Sequence, residues 1–305
     1  MPEQPVVYIR GKLVPAPEAQ VSIYDLGVVQ GATVTDLLRT FQHVPYRLEE
    51  HVRRFYESCK YARICPPVRP EEALEIIREL VDRNAALEHR ELAVVLFITP
   101  GENLIYAGSS ASGVALQPTF CIHSFPLPLG LFRPLYVEGI HLVTPPTRHV
   151  PPQCVDPKIK NRSRLHFWLA EQEAHLVDPE AMPLLLDLDG NLTETSGGNV
   201  LLAKNGVVLS PPPRNILQGV SRKVVLELCA QLGLAVHERD LQLHDILTAD
   251  EAFVTTTPYC IAPVTRCNGI PVGDGRPGPL FERILAAWSQ EVGLDIRCQI
   301  LESPE

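Results

Sequence analysis

Residues 182–212, MPLLLDLDGNLTETSGGNVLLAKNGVVLSPP, decide the fold. Short apolar runs alternate here with turn signals, and Asp189-Gly190 and Asn205-Gly206 are strong two-residue hairpin turns. The stretch reads as neighbouring strands. At its centre TETSGGNVLL sets a carboxylate (Glu194), hydroxyls (Thr195, Ser196), Gly197-Gly198 and Asn199 at the entry to an apolar strand. Paired glycines open backbone conformations closed to other residues and leave room for a flat ligand, although a tight turn beside a hairpin explains them equally well. DLDGN resembles the opening of a calcium loop, but its glycine comes too early and the distant bidentate Glu is missing, so a plain hairpin is preferred.

Upstream, VVYIRGKLVP reads as a hairpin turning at Gly11-Lys12. VTDLLRTF is a strand, followed by a turn at Val44-Pro45 and a helix from about Leu48, where Val52, Phe55, Cys59 and Ala62 recur at helical steps. Pro70 starts a second helix, and ELAVVLFIT and PTFCIHSF are strands separated by the Gly/Ser-rich GSSASG at 108–113. SFPLPLGLFRPLY, crowded with proline, reads as an extended linker. It divides a small domain (1–125) from a linker (126–134) and a larger domain (135–305). Downstream, GIHLVT is a strand and RSRLHFWLAEQEAHLV a helix. A helix at Ser221–Leu232 ends on Gly233, DEAFVTTTPYCIAPVTRCNGIPV is a strand pair, and Pro279–Val292 forms the last helix. Strands and helices mix without regular βαβ alternation, which argues α+β.

Composition narrows the function. The 305 residues, 45% hydrophobic and 21% charged, exclude a mainly disordered chain and suffice for two cores. No apolar run approaches the roughly 20 residues of a membrane helix, and MPEQPVVYIRGKLVP lacks a secretory signal, so a soluble cytoplasmic protein is expected. A net charge of −9 offers no footprint for nucleic acid or an anionic membrane. The local cluster Lys158, Lys160, Arg162, Arg164 suggests a bound anion. Eight scattered cysteines without metal-ligand spacing read as reduced, mostly buried thiols, and no metal is expected.

Three further stretches carry chemistry. In ILQGVSRKVVLEL, Val220 and Ser221 open a helix whose free N–H groups favour a phosphate, or else simply form a capped start. In FVTTTPYC, threonine hydroxyls end an apolar strand. In EEHVRRFYES, His51 and Arg54 share a helical face, where surface salt bridging is an arginine's usual fate.

Together these pieces resemble the class IV aminotransferases, the fold-type IV enzymes of pyridoxal phosphate, a group that includes branched-chain and D-amino-acid aminotransferases and aminodeoxychorismate lyase. The resemblance runs from YDLGVVQGATVTDLLRT through HVRRF, IKNRSRL, LTETSGGNVLL, LQGVSRKVV and FVTTTPYCIAPV to IPVGDGRPGPLFERI. It implies a two-domain α+β fold, with a small α/β domain and a larger, mainly antiparallel β core flanked by helices. It also implies that Glu194 pairs with the pyridine nitrogen. Arg54, Val220, Ser221, Thr257 and Thr256 would cradle the phosphate, and Ser196, Gly197, Gly198 and Asn199 would shape the floor beneath the ring. A lysine amine forms the imine that holds the cofactor.

Two lysines compete for that role. Lys158-Ile159-Lys160-Asn161 fits the family's K-x-x-N literally. The apolar-Lys step, the following Arg164-Leu165 and the interval to Glu194 align better on Lys160 and match the branched-chain enzymes. If the stretch is a strand, both lysines point to one side. Lys160 is taken as the anchor of the internal aldimine.

Substrate choice rests on less. Pro100 stands where D-specific enzymes carry a carboxylate-binding arginine, and Thr35 replaces the usual tyrosine. Arg148, in TPPTRHVPP, is a candidate for the substrate carboxylate, against a solvated loop arginine. The resemblance therefore implies transamination between an L-amino acid, branched-chain ones included, and a 2-oxo acid, in a homodimer. The alternatives are a lyase forming 4-aminobenzoate and pyruvate, and a non-catalytic cofactor-binding protein.

Overall fold

The computed structural model describes residues 4–106, 108 and 115–304, so most of GSSASG lies outside the described residues. The chain forms two compact units. One comprises Met1–Leu127 with Ile159–Ser163, the other Pro128–Lys158 with Arg164–Glu305.

In the first unit β1 (Val6–Ile9), β2 (Lys12–Pro15), β3 (Val34–Phe41), β4 (Val44–Pro45), β5 (Leu92–Thr99) and β6 (Thr119–Pro126) form an antiparallel sheet of order β2-β1-β6-β5-β3-β4 among the described residues. β5, LAVVLFIT, lies between β3 and β6, and its nearly continuous burial explains why it shows no polar alternation. The sheet is accompanied by α1 (Leu26–Val29), α2 (Leu48–Ala62) and α3 (Pro70–Ala85). Of the helical repeat read from the sequence, Val52, Phe55 and Cys59 enter the core, joined by Leu48 and packed with Leu38, Leu96 and Phe120, whereas Ala62, at the last residue of α2, is exposed. Arg63, at φ 58°, ends α2 in a left-handed cap. Pro70 starts α3, where its missing N–H costs nothing.

Two turns differ from the sequence reading. The first hairpin pairs Ile9 with Lys12 and so turns at Arg10-Gly11, not Gly11-Lys12. The second turns at Gln42-His43, and Val44-Pro45 is strand. Gln42 and His43 hold φ of 51° and 60° because their N–H groups donate to the Glu91 carboxylate, at 2.6 and 3.2 Å. That partner lies far along the chain, out of reach of a local reading.

The segment Ile159–Ser163 joins the first unit as an addition to β3. Thr35 N donates to Lys160 O at 2.9 Å, Arg162 N donates to Thr33 O at 2.9 Å, and Asn161 bridges to Val34. Ile159 packs on the core.

The second unit contains α4 (Arg133–Val137), β7 (Ile140–Val143), α5 (Leu165–His175), β8 (Met182–Leu186), β9 (Leu192–Thr195), β10 (Asn199–Lys204) and β11 (Val207–Ser210). They are followed by α6 (Val220–Gln231), β12 (Val236–Glu238), α7 (Leu243–Leu247), β13 (Glu251–Thr256), β14 (Cys260–Cys267), β15 (Ile270–Pro271), α8 (Pro279–Val292) and α9 (Ile296–Glu302). Among the described residues the sheet order is β12-β11-β10-β13-β14-β7-β8-β9, with β15 on β14. The added pairing of β9 with β10, Glu194 opposite Asn199, closes the ring from β10 through β13, β14, β7 and β8 into a barrel. Most pairs are antiparallel; β7–β14, β7–β8 and β11–β12 are parallel. The fold is α+β, as the sequence implies.

Asn205-Gly206 forms the β10–β11 turn with both φ positive, 52° and 76°. DLDGN links β8 to β9 as a hairpin loop. The proline-rich stretch is not extended throughout: Leu129–Phe132 make a 3₁₀ turn that runs into α4. A helix follows the one read as last, α9, whose cap Asp295 accepts from Cys298 N at 3.0 Å. All eight cysteines are free, five of them buried; Cys154 is exposed. Among the described residues no helix is long and apolar enough to cross a membrane.

Candidate functional site

In the first unit a carboxylate in an apolar strand gathers the charge. Asp36, on β3, is fully buried. Its Oδ2 accepts from Arg54 Nε at 2.8 Å, and its Oδ1 accepts from Arg54 Nη2 at 2.7 Å, His51 Nδ1 at 2.8 Å and Leu37 N at 2.8 Å. Burial alone would raise the Asp36 carboxyl, but the Arg54 guanidinium and His51 outweigh it and hold the group well below the usual carboxylate range. Burial pushes His51 below its ordinary value against the pull of Asp36, and Arg54 and Lys160 add to the fall. Arg54 is thus no surface ion pair; α2 delivers it to β3, where Asp36 fixes its plane.

Lys160 belongs to the same unit. Its N–H donates to Ser58 Oγ at 3.2 Å, and Ser58 Oγ in turn donates to Arg54 O at 2.8 Å. The stretch around it is not a strand. Pro157–Ile159 turn, so the two lysines do not share a side by strand alternation. Lys158 is exposed, its Nζ 3.0 Å from Asp156 Oδ2. Thr35 is buried and its hydroxyl donates to Leu96 O at 2.8 Å.

In the second unit the barrel closure carries Glu194, which is buried. Its Oε2 accepts from Asn199 Nδ2 at 3.1 Å, both its oxygens lie 3.2 Å from Leu217 N, and Oε1 lies 3.3 Å from His149 Nε2. The β9–β10 turn is held by Thr195: its Oγ1 accepts from Gly198 N at 2.8 Å and Gly197 N at 3.3 Å. Arg164 Nη2 donates to Ser196 O, and Thr256 Oγ1 donates to Gly197 O at 2.8 Å. A Cβ on Gly198 would stand 2.6 Å from the backbone Thr255 O, which requires glycine there, and one on Gly219 would stand 2.2 Å from Asn199 Oδ1, so that side chain would have to move.

Helix α6 starts beside this carboxylate: Leu217, whose N–H serves Glu194, precedes its cap Gly219 by two residues. The cap has no side-chain hydrogen bond, so among the described residues the first N–H groups of α6, at Val220 and Ser221, have no intrahelical or capping partner. Thr257 directly follows β13 and is half-buried. Thr255 Oγ1 is buried without a hydrogen-bond partner among the described residues. Arg148 is exposed and makes no hydrogen bond or ion pair among the described residues.

A buried, fully hydrogen-bonded carboxylate and an open helix N-terminus with a hydroxyl in its first turn suit a flat, phosphorylated, cationic ring. That combination marks an enzyme of the pyridoxal-phosphate kind. The family model for amino-transferase class IV matches residues 33–267, and the chain belongs to this family of pyridoxal-phosphate-dependent aminotransferases. A Methanocaldococcus jannaschii protein provisionally named a branched-chain-amino-acid aminotransferase is 32% identical over 281 residues, 91% of this chain and 93% of the relative. D-alanine aminotransferase of Bacillus licheniformis is 28% identical over 289 residues, 94% of this chain and 96% of that protein. The crystal structure of the T.th. branched-chain amino acid aminotransferase with pyridoxamine 5'-phosphate superposes with a TM-score of 0.85 at 26% identity, covering 95% of each chain.

The residues present fit the cofactor. In the second unit the Glu194 carboxylate has the chemistry to answer a ring nitrogen, and the first N–H groups of α6 and the Thr257 hydroxyl that to answer a phosphate. In the first unit Lys160 would offer an amine and Arg54 a fixed cation. The sequence reading missed Asp36, Ser58, His149 and the Leu217 N–H. Asp36 had a signal, since a lone carboxylate in an apolar strand demands a cation, and HVRRF supplies one. His149 adjoins Arg148, but nothing local distinguishes it.

Proposed function

We propose that the protein transfers an amino group between an L-amino acid, branched-chain ones among them, and a 2-oxo acid, with Lys160 as the covalent anchor of the cofactor. Pyridoxal phosphate supplies an aldehyde for the amino group and a ring that draws electrons from the substrate's Cα. With the cofactor bound, Lys160 Nζ would hold it and would carry the proton that leaves the substrate's Cα. Glu194 keeps the ring nitrogen protonated. Arg54 and the start of α6 hold the phosphate dianion, with the Thr256 and Thr257 region beside them, and Gly197, Gly198 and Asn199 underlie the ring. Thr35 and Arg148 remain the candidates for contacting substrate.

The observation that carries this reading is Glu194: a buried carboxylate held by Leu217, Asn199 and His149, with Leu217 two residues of chain before the cap of an uncapped helix. The names of the M. jannaschii and T.th. proteins favour branched-chain substrates. The backbone of Lys160 is tied to Ser58 and Thr35, whereas Lys158 pairs with Asp156, and this favours Lys160 as the amine. Free thiols throughout agree with a reducing cytoplasm, and a homodimer completes the proposal.

Amino transfer to 2-oxoglutarate, measured for L-leucine, L-valine and L-isoleucine beside D-alanine, tests it. Lys160→Ala should lower transfer by about 10²–10⁴-fold, whereas Lys158→Ala should stay within about twofold. Retained turnover in Lys160→Ala overturns the lysine assignment. Pyruvate release from aminodeoxychorismate without amino transfer would establish the lyase instead.

A further inference from the structure

His149 and Glu194 stand together in the second unit with one proton to account for. His149 is buried; its Nδ1 lies 3.0 Å from Val150 O and its Nε2 3.3 Å from Glu194 Oε1. A carbonyl oxygen only accepts, so Nδ1 carries a hydrogen. A neutral imidazole would then turn the lone pair of Nε2 toward a carboxylate oxygen, two acceptors facing each other away from water. Two arrangements satisfy both contacts: an imidazolium donating to a carboxylate, or a neutral imidazole accepting from a protonated Glu194. Each holds one proton more than a neutral histidine beside a carboxylate.

The other partners of Glu194 choose between them. Leu217 N lies 3.2 Å from both carboxylate oxygens and Asn199 Nδ2 3.1 Å from Oε2, and both are donors. Donors on both oxygens favour the carboxylate and place the proton on His149. The groups packed around the imidazole agree. From the start of α5, His166 and Phe167 present their rings edge-on, each 5.7 Å from the His149 ring. Burial, followed by the charges of His149 and Arg164, lowers His166 to about 4, so it does not compete for a proton at neutral pH. Arg164 acts on Glu194 through its charge and donates to Ser196 O, while Glu173, further along α5, is engaged by Thr147. His149 is therefore the cation that hydrogen-bonds Glu194.

We infer that His149 is a positioning residue that donates to Glu194 as an imidazolium and sets how strongly this carboxylate holds the proton of the ring nitrogen it faces. The inference rests on the proposed role of Glu194 and deepens it. With His149 charged, the carboxylate is partly neutralised and the ring proton is held less tightly. Without that charge, Glu194 holds the ring proton to higher pH.

Two measurements test this. In the holoenzyme labelled with ¹⁵N at histidine, the NMR signals missing from His149→Gln identify His149; at neutral pH both its ring nitrogens should carry a proton, and in Glu194→Gln one of them should be bare. In His149→Gln, which keeps a donor but loses the charge, the pH midpoint of the bound cofactor's visible absorbance should rise by about one unit. A His149 with one bare ring nitrogen at neutral pH, or an absorbance midpoint unmoved in a variant that still binds the cofactor, overturns the inference alone. A wild-type protein that takes up no cofactor overturns the proposed function and this inference with it.

Discussion

Two buried carboxylates, Asp36 in the first unit and Glu194 in the second, each hydrogen-bond an imidazole, and the two pairs hold their protons differently. Asp36 is already answered by the fixed charge of Arg54, through two hydrogen bonds of 2.8 and 2.7 Å. A second positive charge on His51 would be surplus, and burial with Arg54 pushes that imidazole down. Glu194 accepts from amide groups and from His149; Arg164 acts on it through its charge but donates to Ser196 O, so the imidazole is the cation that hydrogen-bonds it. The same two residue types thus act as a locked strut in one place and an adjustable one in the other. The deciding factor is whether an arginine is aimed at the carboxylate.

Removing the strut should produce the largest effect on folding. Asp36→Asn leaves the Arg54 guanidinium, 11% exposed, beside a neutral amide. Breaking a buried pair from one side costs about 3–5 kcal/mol. Denaturant unfolding should register that loss, while Glu194→Gln, whose remaining partners are neutral donors and His149, should lose about 1–3 kcal/mol. If Glu194→Gln proved the more destabilising of the two, the division into strut and adjustable pair would be wrong.

What the sequence makes legible follows the same line. Features decided by near neighbours are readable: the buried face of α2 in Leu48, Val52, Phe55 and Cys59, the Asn205-Gly206 turn, and the start of α8 at Pro279. Features decided by distant partners are not. Gln42 and His43 turn because of Glu91, and the Leu217 N–H reaches Glu194 across the barrel closure. The chemistry of TETSGGN was visible as residue types, yet on its own it fitted a hairpin turn as well as a ligand floor. The structure shows the turn: it closes the barrel and presents the Glu194 carboxylate beside it. Lys160 was separable from Lys158 only by register, because its ties to Ser58 and Thr35 come from elements far away in the chain.

An intermediate effect is expected at Gly219, on the adjustable side. A methyl group there would lie 2.2 Å from Asn199 Oδ1, and Asn199 also donates to Leu217 O at 2.9 Å and to Glu194. Gly219→Ala must displace the asparagine, which loosens one donor on the carboxylate and disturbs the entry to α6. About 1–3 kcal/mol of stability should be lost, with cofactor affinity down by roughly tenfold, a change of about 1.4 kcal/mol. Gly197, whose Cβ would meet no protein atom within 4 Å, is the stability control: Gly197→Ala should unfold with the free energy of the wild type. Equal losses at both glycines would remove Asn199 from the argument.

The smallest effect is the pH dependence of the locked pair, and its sign is fixed. The ordinary value of His51 is 6.5, and its native value is lower. As the pH falls below 6.5 the unfolded chain therefore binds a proton that the native site resists, and stability drops with it. Asp36, held below its ordinary 3.8, acts only in stronger acid, as its native carboxylate is finally protonated. His123 and His166 are also lowered, by burial first, and slope the same way as His51. His51→Gln should consequently flatten, without abolishing, the fall in unfolding free energy between pH 6.5 and about 5. A slope left unchanged in His51→Gln would show that His51 binds its proton in the native site as readily as in the unfolded chain, and Arg54 would not be what locks the pair.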